Sequence, residues 1–184
     1  IGGKAKSMVV TERRSQAVLF KMTIDDYIEH NHLNIKTLVA FSGTVTIDGK
    51  DYTENSINNP EREKDFDIAE KFSEDAYQIL IVADKFRVGF NQPKLHTMYV
   101  DKKLKNVNAV QTLSRLNRTF PPNKEETIVL DFANEGDTIR NAFQPYYDKT
   151  EVSQATEPNV LYDYQVKIEE YALFGDAEVE AFAK

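Results

Sequence analysis

The chain has 184 residues, 41% of them apolar and 29% charged, with a formal net charge of −7. That is the size of one ordinary domain, with enough apolar material for a real core. Cysteine is absent, which excludes disulfides, thiolate catalysis and cysteine-ligated zinc, and no apolar run approaches the roughly 18 residues of a membrane span. No secretory signal is visible, and nothing points outside the cytoplasm. Of three histidines, His30, His32 and His96, only His30-x-His32 is closely spaced, and it reads as a solvated helix end rather than a metal site. The chain opens on Ile1 and closes on what reads as the first turns of a helix. Both ends have the look of a piece cut from something longer.

In chain order, "SMVVT" reads as a short buried strand. "RRSQAVLFKMTIDDYIEHN" follows with Ala17, Phe20, Ile24, Tyr27 and Ile28 at helical spacing. "KTLVAFSG" is a second strand, ended by Gly43. "DGKDYTENSINNPEREKD" is polar and turn-rich, a loop with a broken helix, and "DIAEKFSED" can form a short helix. "YQILIVAD" is the strongest strand, "HTMYVD" another. Asn106 or Asn108 can cap a helix running to about Arg118, where Pro121-Pro122 forbids continuation. "ETIVLDF" is a strand, and "GDTIRNAFQPYYD" a helix. Strands alternating with helices predict an α/β fold, a parallel sheet covered on both faces. Residues 1–147 are expected to form that domain. Residues 148–184 read as a linker and the start of a helical extension, with Leu161, Tyr164, Ile168 and Tyr171 in a stripe, Gly175 as a stop and Asp176 as a further cap.

Charge is segregated. From Asp148 to Lys184 there are nine acids and three bases; between Lys85 and Arg118 there are eight bases and one acid, Asp101. Such segregation can build an anion-binding surface on an acidic protein. The bland alternative is a solvated lysine face, which suits Lys102–Lys105 taken alone.

Two motifs carry chemistry. On a helix Gln111, Arg115 and Arg118 fall within about 60° of one another, with Ala109, Leu113 and Leu116 on the opposite side. One face would pack on the sheet while the other presents an amide and two guanidiniums, whose planar donors suit polyphosphate. The second motif is "DKFRVGFNQPKL", between two strands. Locally it could be a hairpin with a long turn; Gly89 would allow a positive φ or a close backbone approach, and Pro93 would stiffen the exit. Phe86 and Phe90 fit core or lid packing better than base stacking. No G-x4-G-K-[ST] loop occurs, nor an Asp-Glu pair ending an apolar strand to hold magnesium. The chain can therefore supply only part of a composite nucleotide site.

The order "MVVTERRSQAV", "LVAFSGTV", "ILIVADKFRVGFNQP", "QTLSRLNRT" resembles motifs IV, V and VI of a superfamily 2 helicase. It is most similar to the motor (R, restriction) subunit of type I restriction enzymes, which "EPNVLYDYQVKIEEY" in the tail also resembles. The resemblance implies a second, C-terminal RecA-like domain. Arg118 would be the arginine finger reaching ATP held by the first such domain, Arg115 would assist at the phosphates, and Gln111 would tie the helix to the interface. Gly89 and Asn91 would lie in the loop that couples nucleotide to DNA, with Lys85 and Arg87 contributing positive charge toward DNA. Thr11, Arg13, Arg14 and Ser15 would form a turn where a helix N-terminus meets a DNA phosphate, and Ser42, Gly43 and Thr44 a second backbone-contact loop. Ser114 replaces a common Gly, and Asn91 a common Asp, which puts in doubt a charged contact in that loop.

The resemblance further implies ATP and Mg2+ as cofactors, bound mainly by an upstream RecA-like domain, with double-stranded DNA as the track. It implies a nuclease domain elsewhere in the chain, modification and specificity subunits as partners, and no activity from this piece alone. The bland readings are an ion pair of Arg115 or Arg118 with an acid such as Glu125, solvated helix-start charges at Arg13 and Arg14, a strand-ending turn at Ser42–Thr44, and a turn glycine at Gly89. Another superfamily 2 DNA or RNA helicase, or a non-enzymatic RecA-like binding module, are the competing functions.

Overall fold

Strands buried on both faces need apolar side chains at consecutive positions, because successive side chains point to opposite faces. Three runs meet this requirement. Their strands are β1 (Lys6–Thr11), β2 (Lys36–Ala40) and β5 (Tyr77–Ala83). The computed structural model describes residues 3–61, 66–85, 90–120, 124 and 126–147. The remaining elements are α1 (Arg14–His30), β3 (Thr44–Ile47), β4 (Lys50–Thr53), α2 (Glu54–Asn58), α3 (Ile68–Lys71), β6 (Leu95–Asp101), α4 (Val107–Leu113), β7 (Ile128–Asp131) and α5 (Gly136–Tyr147). The chain divides into two compact units, Ile1–Gln144 and Pro145–Lys184. The sheet and the residues of the candidate site lie in the first. The expected linker, the tail stripe from Leu161 to Tyr171, Gly175 and Asp176 lie outside the described residues.

The main sheet has five strands in the order β2-β5-β1-β6-β7, all parallel. This is the α/β architecture expected from the alternation of strands and helices. Met8 stands opposite Leu80 on one side and Met98 on the other. Leu38, Leu80, Met8, Met98 and their neighbours form one core with Ile68 and Phe72 around α3, Ala109 and Leu113 of α4, Leu116, and Ala142 of α5. Val39, Phe41, Ile81 and Ala83 face the other way and meet Ala17 and Val18 of α1. Helices thus cover both faces.

Several expectations are corrected. β5 and β6 do not form a hairpin: β1 lies between them and both run parallel to it. The polar stretch from Asp48 holds the expected broken helix as α2, but its start is not loop: Lys50–Thr53 pair antiparallel with Thr44–Ile47, β4 with β3. The two-residue turn between these strands, Asp48-Gly49, has φ of +49° and +76°, the left-handed pair that matches strand twist and that Asp-Gly favours. α1 packs on the sheet core through Ala17 and Val18, with Phe20 and Ile24 half-buried against it as expected and Ile28 buried, while Tyr27 is 63% exposed. Lys21 replaces it on the buried face, paired with Asp25, which also accepts from the Thr37 hydroxyl. The arginine helix does not stay α-helical to Arg118: α4 ends at Leu113 and Ser114–Asn117 tighten into a 3₁₀ turn. Asn106 holds the N-cap position, but its side chain makes no capping bond.

Outer strand β2 is protected by a side chain. Asn58 accepts from the Val39 N–H at 2.9 Å and donates to the Val39 carbonyl at 2.7 Å. It occupies backbone groups that an exposed edge would offer to another chain. No described helix is long and apolar enough to cross a membrane.

Candidate functional site

In a parallel sheet all carboxyl ends lie on one edge, and ligands bind there where successive connections diverge. The connections leaving β1, β2, β5 and β6 reach this edge, and they carry most of the residues singled out from sequence. Thr11 ends β1. It is fully buried, with its hydroxyl 3.1 Å from the Val82 carbonyl and 3.2 Å from that of Arg13. Its side chain therefore fixes the turn rather than facing outward. Arg13, exposed, takes the N-cap position of α1 and its N–H donates to Gln16 Oε1 at 3.0 Å. Arg14 is exposed and Ser15 half-buried.

Arg14 links two of the expected loops. Its Nη1 donates to the Ser42 carbonyl at 2.8 Å. Ser42, Gly43 and Thr44 are exposed, and Gly43 has φ +79°, with Arg14 Nη1 only 2.9 Å from where a Cβ would stand. The positive φ favours glycine here, and a Cβ would displace the flexible end of the Arg14 side chain. Arg13, Arg14, Ser15, Thr44, Thr46 and Asp84 line a cleft of about 410 Å³, together with Glu12 and Val45.

Lys85, just beyond β5, is held by Glu54, whose oxygens lie 2.6 and 2.7 Å from its Nζ. Arg87, Gly89, Phe86 and Glu125 lie outside the described residues. Asn91 is exposed. Phe90 is buried, its ring 6.0 Å from that of Phe72, so it packs in the core as expected.

Ala109, Leu113 and Leu116 are buried, while Gln111 and Arg118 are exposed. Arg115, half-buried, donates from Nη1 to the Phe90 carbonyl at 2.8 Å. Its Nε is buried without a hydrogen-bond partner among the described residues. Burial, and next the neighbouring charge of Arg118, push the Arg115 guanidinium down from the ordinary arginine value. The Arg118 side chain has no hydrogen-bond or ion-pair partner among the described residues. Its backbone is fixed instead: Lys124 Nζ donates to the carbonyls of Leu116 at 2.6 Å and Arg118 at 2.7 Å. Burial pushes Lys124 down from the ordinary lysine value.

The basic stretch is not one surface. Lys94 precedes β6, at the opposite edge, and pairs with Asp75 at 2.7 Å. Lys102 is 13% exposed and pairs with Asp84 at 2.6 Å. Lys103, Lys105 and Arg118 are exposed at or beyond the carboxyl end of β6. Among the described residues no three histidine, aspartate or glutamate side chains are placed to hold a metal ion. An anionic phosphate, by contrast, matches the unpaired guanidinium of Arg118.

Sequence reasoning passed over Glu54, Asn58, Gln92 and Lys124. Gln92 is buried and donates to the Phe72 carbonyl at 3.3 Å. No motif distinguishes these residues; their partners are backbone groups, and for Glu54 also Lys85, that only the folded chain brings near.

Residues 4–134 match the family model for domain 3 of the type I restriction enzyme subunit R. The chain belongs to the R-subunit family of type I restriction enzymes. It is 30% identical over 168 residues to the protein named for the MjaIXP type I restriction endonuclease subunit of Methanocaldococcus jannaschii, covering 90% of this chain and 15% of that relative. Against the HindI endonuclease subunit of Haemophilus influenzae it is 33% identical over 85 residues, 45% of this chain and 8% of the relative. This R-subunit domain thus spans less than a fifth of the length of either relative. Among solved structures, the C-terminal domain of the DEAD-box protein Dbp5 aligns over 80% of this chain and 72% of that one, with 14% identity and a TM-score of 0.44.

Proposed function

We propose that residues 1–147 are the second RecA-like half of an ATP-driven motor that translocates double-stranded DNA. The observation that carries this reading is the exposed Arg118 guanidinium, without a partner among the described residues, on a backbone pinned by Lys124. A guanidinium held ready but unpaired suits a phosphate supplied by another domain. When bound there, ATP with Mg2+ supplies the free energy of phosphoryl transfer. Arg118 would neutralise charge on the transferred group, Arg115 would brace the β5–β6 connection through Phe90, and Gln111 would face the same interface.

DNA would be held through its phosphates by Arg13, Arg14, the N-terminus of α1, and the Ser42–Thr44 turn, with Lys85 and Arg87 adding charge. Such contacts ignore sequence and weaken with salt. Sequence recognition and cleavage would belong to the specificity and modification subunits and to a nuclease domain of the R subunit, in a cytoplasmic complex. This domain alone would neither hydrolyse ATP nor cut DNA.

The test is motor activity of the intact R subunit assembled with its partners. Displacement of a distant triplex-forming strand, dependent on ATP and without strand separation, is expected. Strand displacement without long-range movement would indicate a helicase of another kind.

A further inference from the structure

Two of the loops assigned to DNA and nucleotide meet at one carboxylate. Glu54 starts α2, which is fastened to β2 by the Asn58 bonds to Val39 and by a further bond from Asn58 to the Glu54 carbonyl at 2.8 Å. From this fixed position Glu54 Oε2 accepts the N–H of Phe41 at 2.8 Å, the residue before the Ser42–Thr44 turn. The same carboxylate holds Lys85 Nζ at 2.6 and 2.7 Å, at the start of the β5–β6 connection. Each loop has a second hold as well. Arg14 grips the Ser42 carbonyl, and Arg115 grips the Phe90 carbonyl. Hydrogen bonds from charged side chains thus run from Arg14 through Glu54 to Lys85, and Lys85 and Arg115 line one small cavity. Both partners of the central pair are partly shielded, at 24% exposure for Glu54 and 35% for Lys85, so solvent screens it somewhat less than a fully exposed pair.

Resting on the motor reading above, we infer that Glu54 is a positioning residue that couples DNA contact at the Ser42–Thr44 turn to ATP hydrolysis at the arginine segment. Among the described residues, its carboxylate bonds both to the residue before the turn and to the start of the β5–β6 connection. A displacement of the turn by a DNA phosphate moves the Phe41 N–H, and with it the anchor of Lys85.

The experiment uses the intact R subunit assembled with its partners, with ATP hydrolysis followed as DNA is titrated. Glu54→Gln keeps an oxygen for the Phe41 N–H and removes the charge that holds Lys85. It should lower kcat at saturating DNA by about threefold or more, while the DNA concentration for half-maximal stimulation stays within about twofold. Loss of the pair should lower the melting temperature by a few degrees at most, so kcat is read well below the transition, where a loss of packing alone leaves it unaltered. Lys85→Met combined with Glu54→Gln should be no worse in kcat than Lys85→Met alone, because both changes cut the same link. Multiplicative effects in the double variant, or an unaltered kcat for Glu54→Gln, would overturn the coupling role. Absence of DNA-stimulated hydrolysis in the unmodified subunit would instead overturn the motor reading beneath it.

Discussion

Gly43→Ala tests how the DNA-side turn is built. At φ +79° an L-residue is strained by about 1–2 kcal/mol. A Cβ would also stand 2.9 Å from Arg14 Nη1, so the guanidinium must shift and its 2.8 Å bond to the Ser42 carbonyl is lost. Arg14 is exposed, so solvent replaces most of that bond and the further cost is below about 1 kcal/mol. Alanine restricts the unfolded chain and returns about 0.4–1 kcal/mol, leaving a net destabilisation of about 1–2 kcal/mol. Gly49 is the internal control: it has φ +76° with nothing within 4 Å of a built Cβ. Gly49→Ala should carry the backbone strain alone. Urea melts of the two variants should therefore differ by the Arg14 contact, with Gly43→Ala the less stable. DNA affinity of the intact subunit should fall for Gly43→Ala and hold for Gly49→Ala. Equal losses of stability at the two positions, with DNA affinity unaffected at both, would refute the claim that Gly43 is kept for Arg14.

Two further outcomes follow from buried polar groups. Lys6 is 1% exposed and donates to the carbonyls of Glu74 and Tyr77 at 2.8 and 2.6 Å; burial, then the charge of Lys94, lowers its ammonium from 10.5 to about 8. The unfolded chain therefore holds this proton more tightly, so stability should rise between about pH 8 and pH 10.5, by as much as about 3 kcal/mol; melts of Lys6→Met across that window should lack the rise. Asn58→Ala leaves the Val39 N–H and carbonyl without their side-chain partner at an outer strand, and denaturant titration should register a loss of about 2–4 kcal/mol.

The main sheet was legible because its strands are apolar at consecutive positions. "ILIVA" and "MVV" can only be buried on both faces, and the helical pattern around Leu113 and Leu116 predicted which side of the arginine segment would be covered. The hairpin at Thr44–Thr53 was passed over although Asp48-Gly49 signals it, because Thr44, Thr46 and Asp51 make the flanking strands look like loop. Strand order was not legible: "DKFRVGFNQPKL" fits a hairpin locally, and only the pairing of β1 with both neighbours removes that reading. The basic stretch misled in one respect. Proximity along the chain placed Lys94 with Lys102, whereas a strand seven residues long separates them to opposite edges of the sheet. Glu54 and Lys124 carry no pattern at all, since their partners are backbone groups on other segments and, for Glu54, Lys85 far along the chain.

The central claim is that Arg118 completes a nucleotide site formed with another domain. It is tested most directly by ATP turnover of the assembled R subunit carrying Arg118→Ala, at saturating DNA. Arg118 is exposed and its side chain supports nothing else among the described residues, so the melting temperature and DNA affinity should hold. Turnover should fall by about 10³-fold or more, the range over which arginine fingers act. Turnover equal to that of the unaltered subunit would contradict the account.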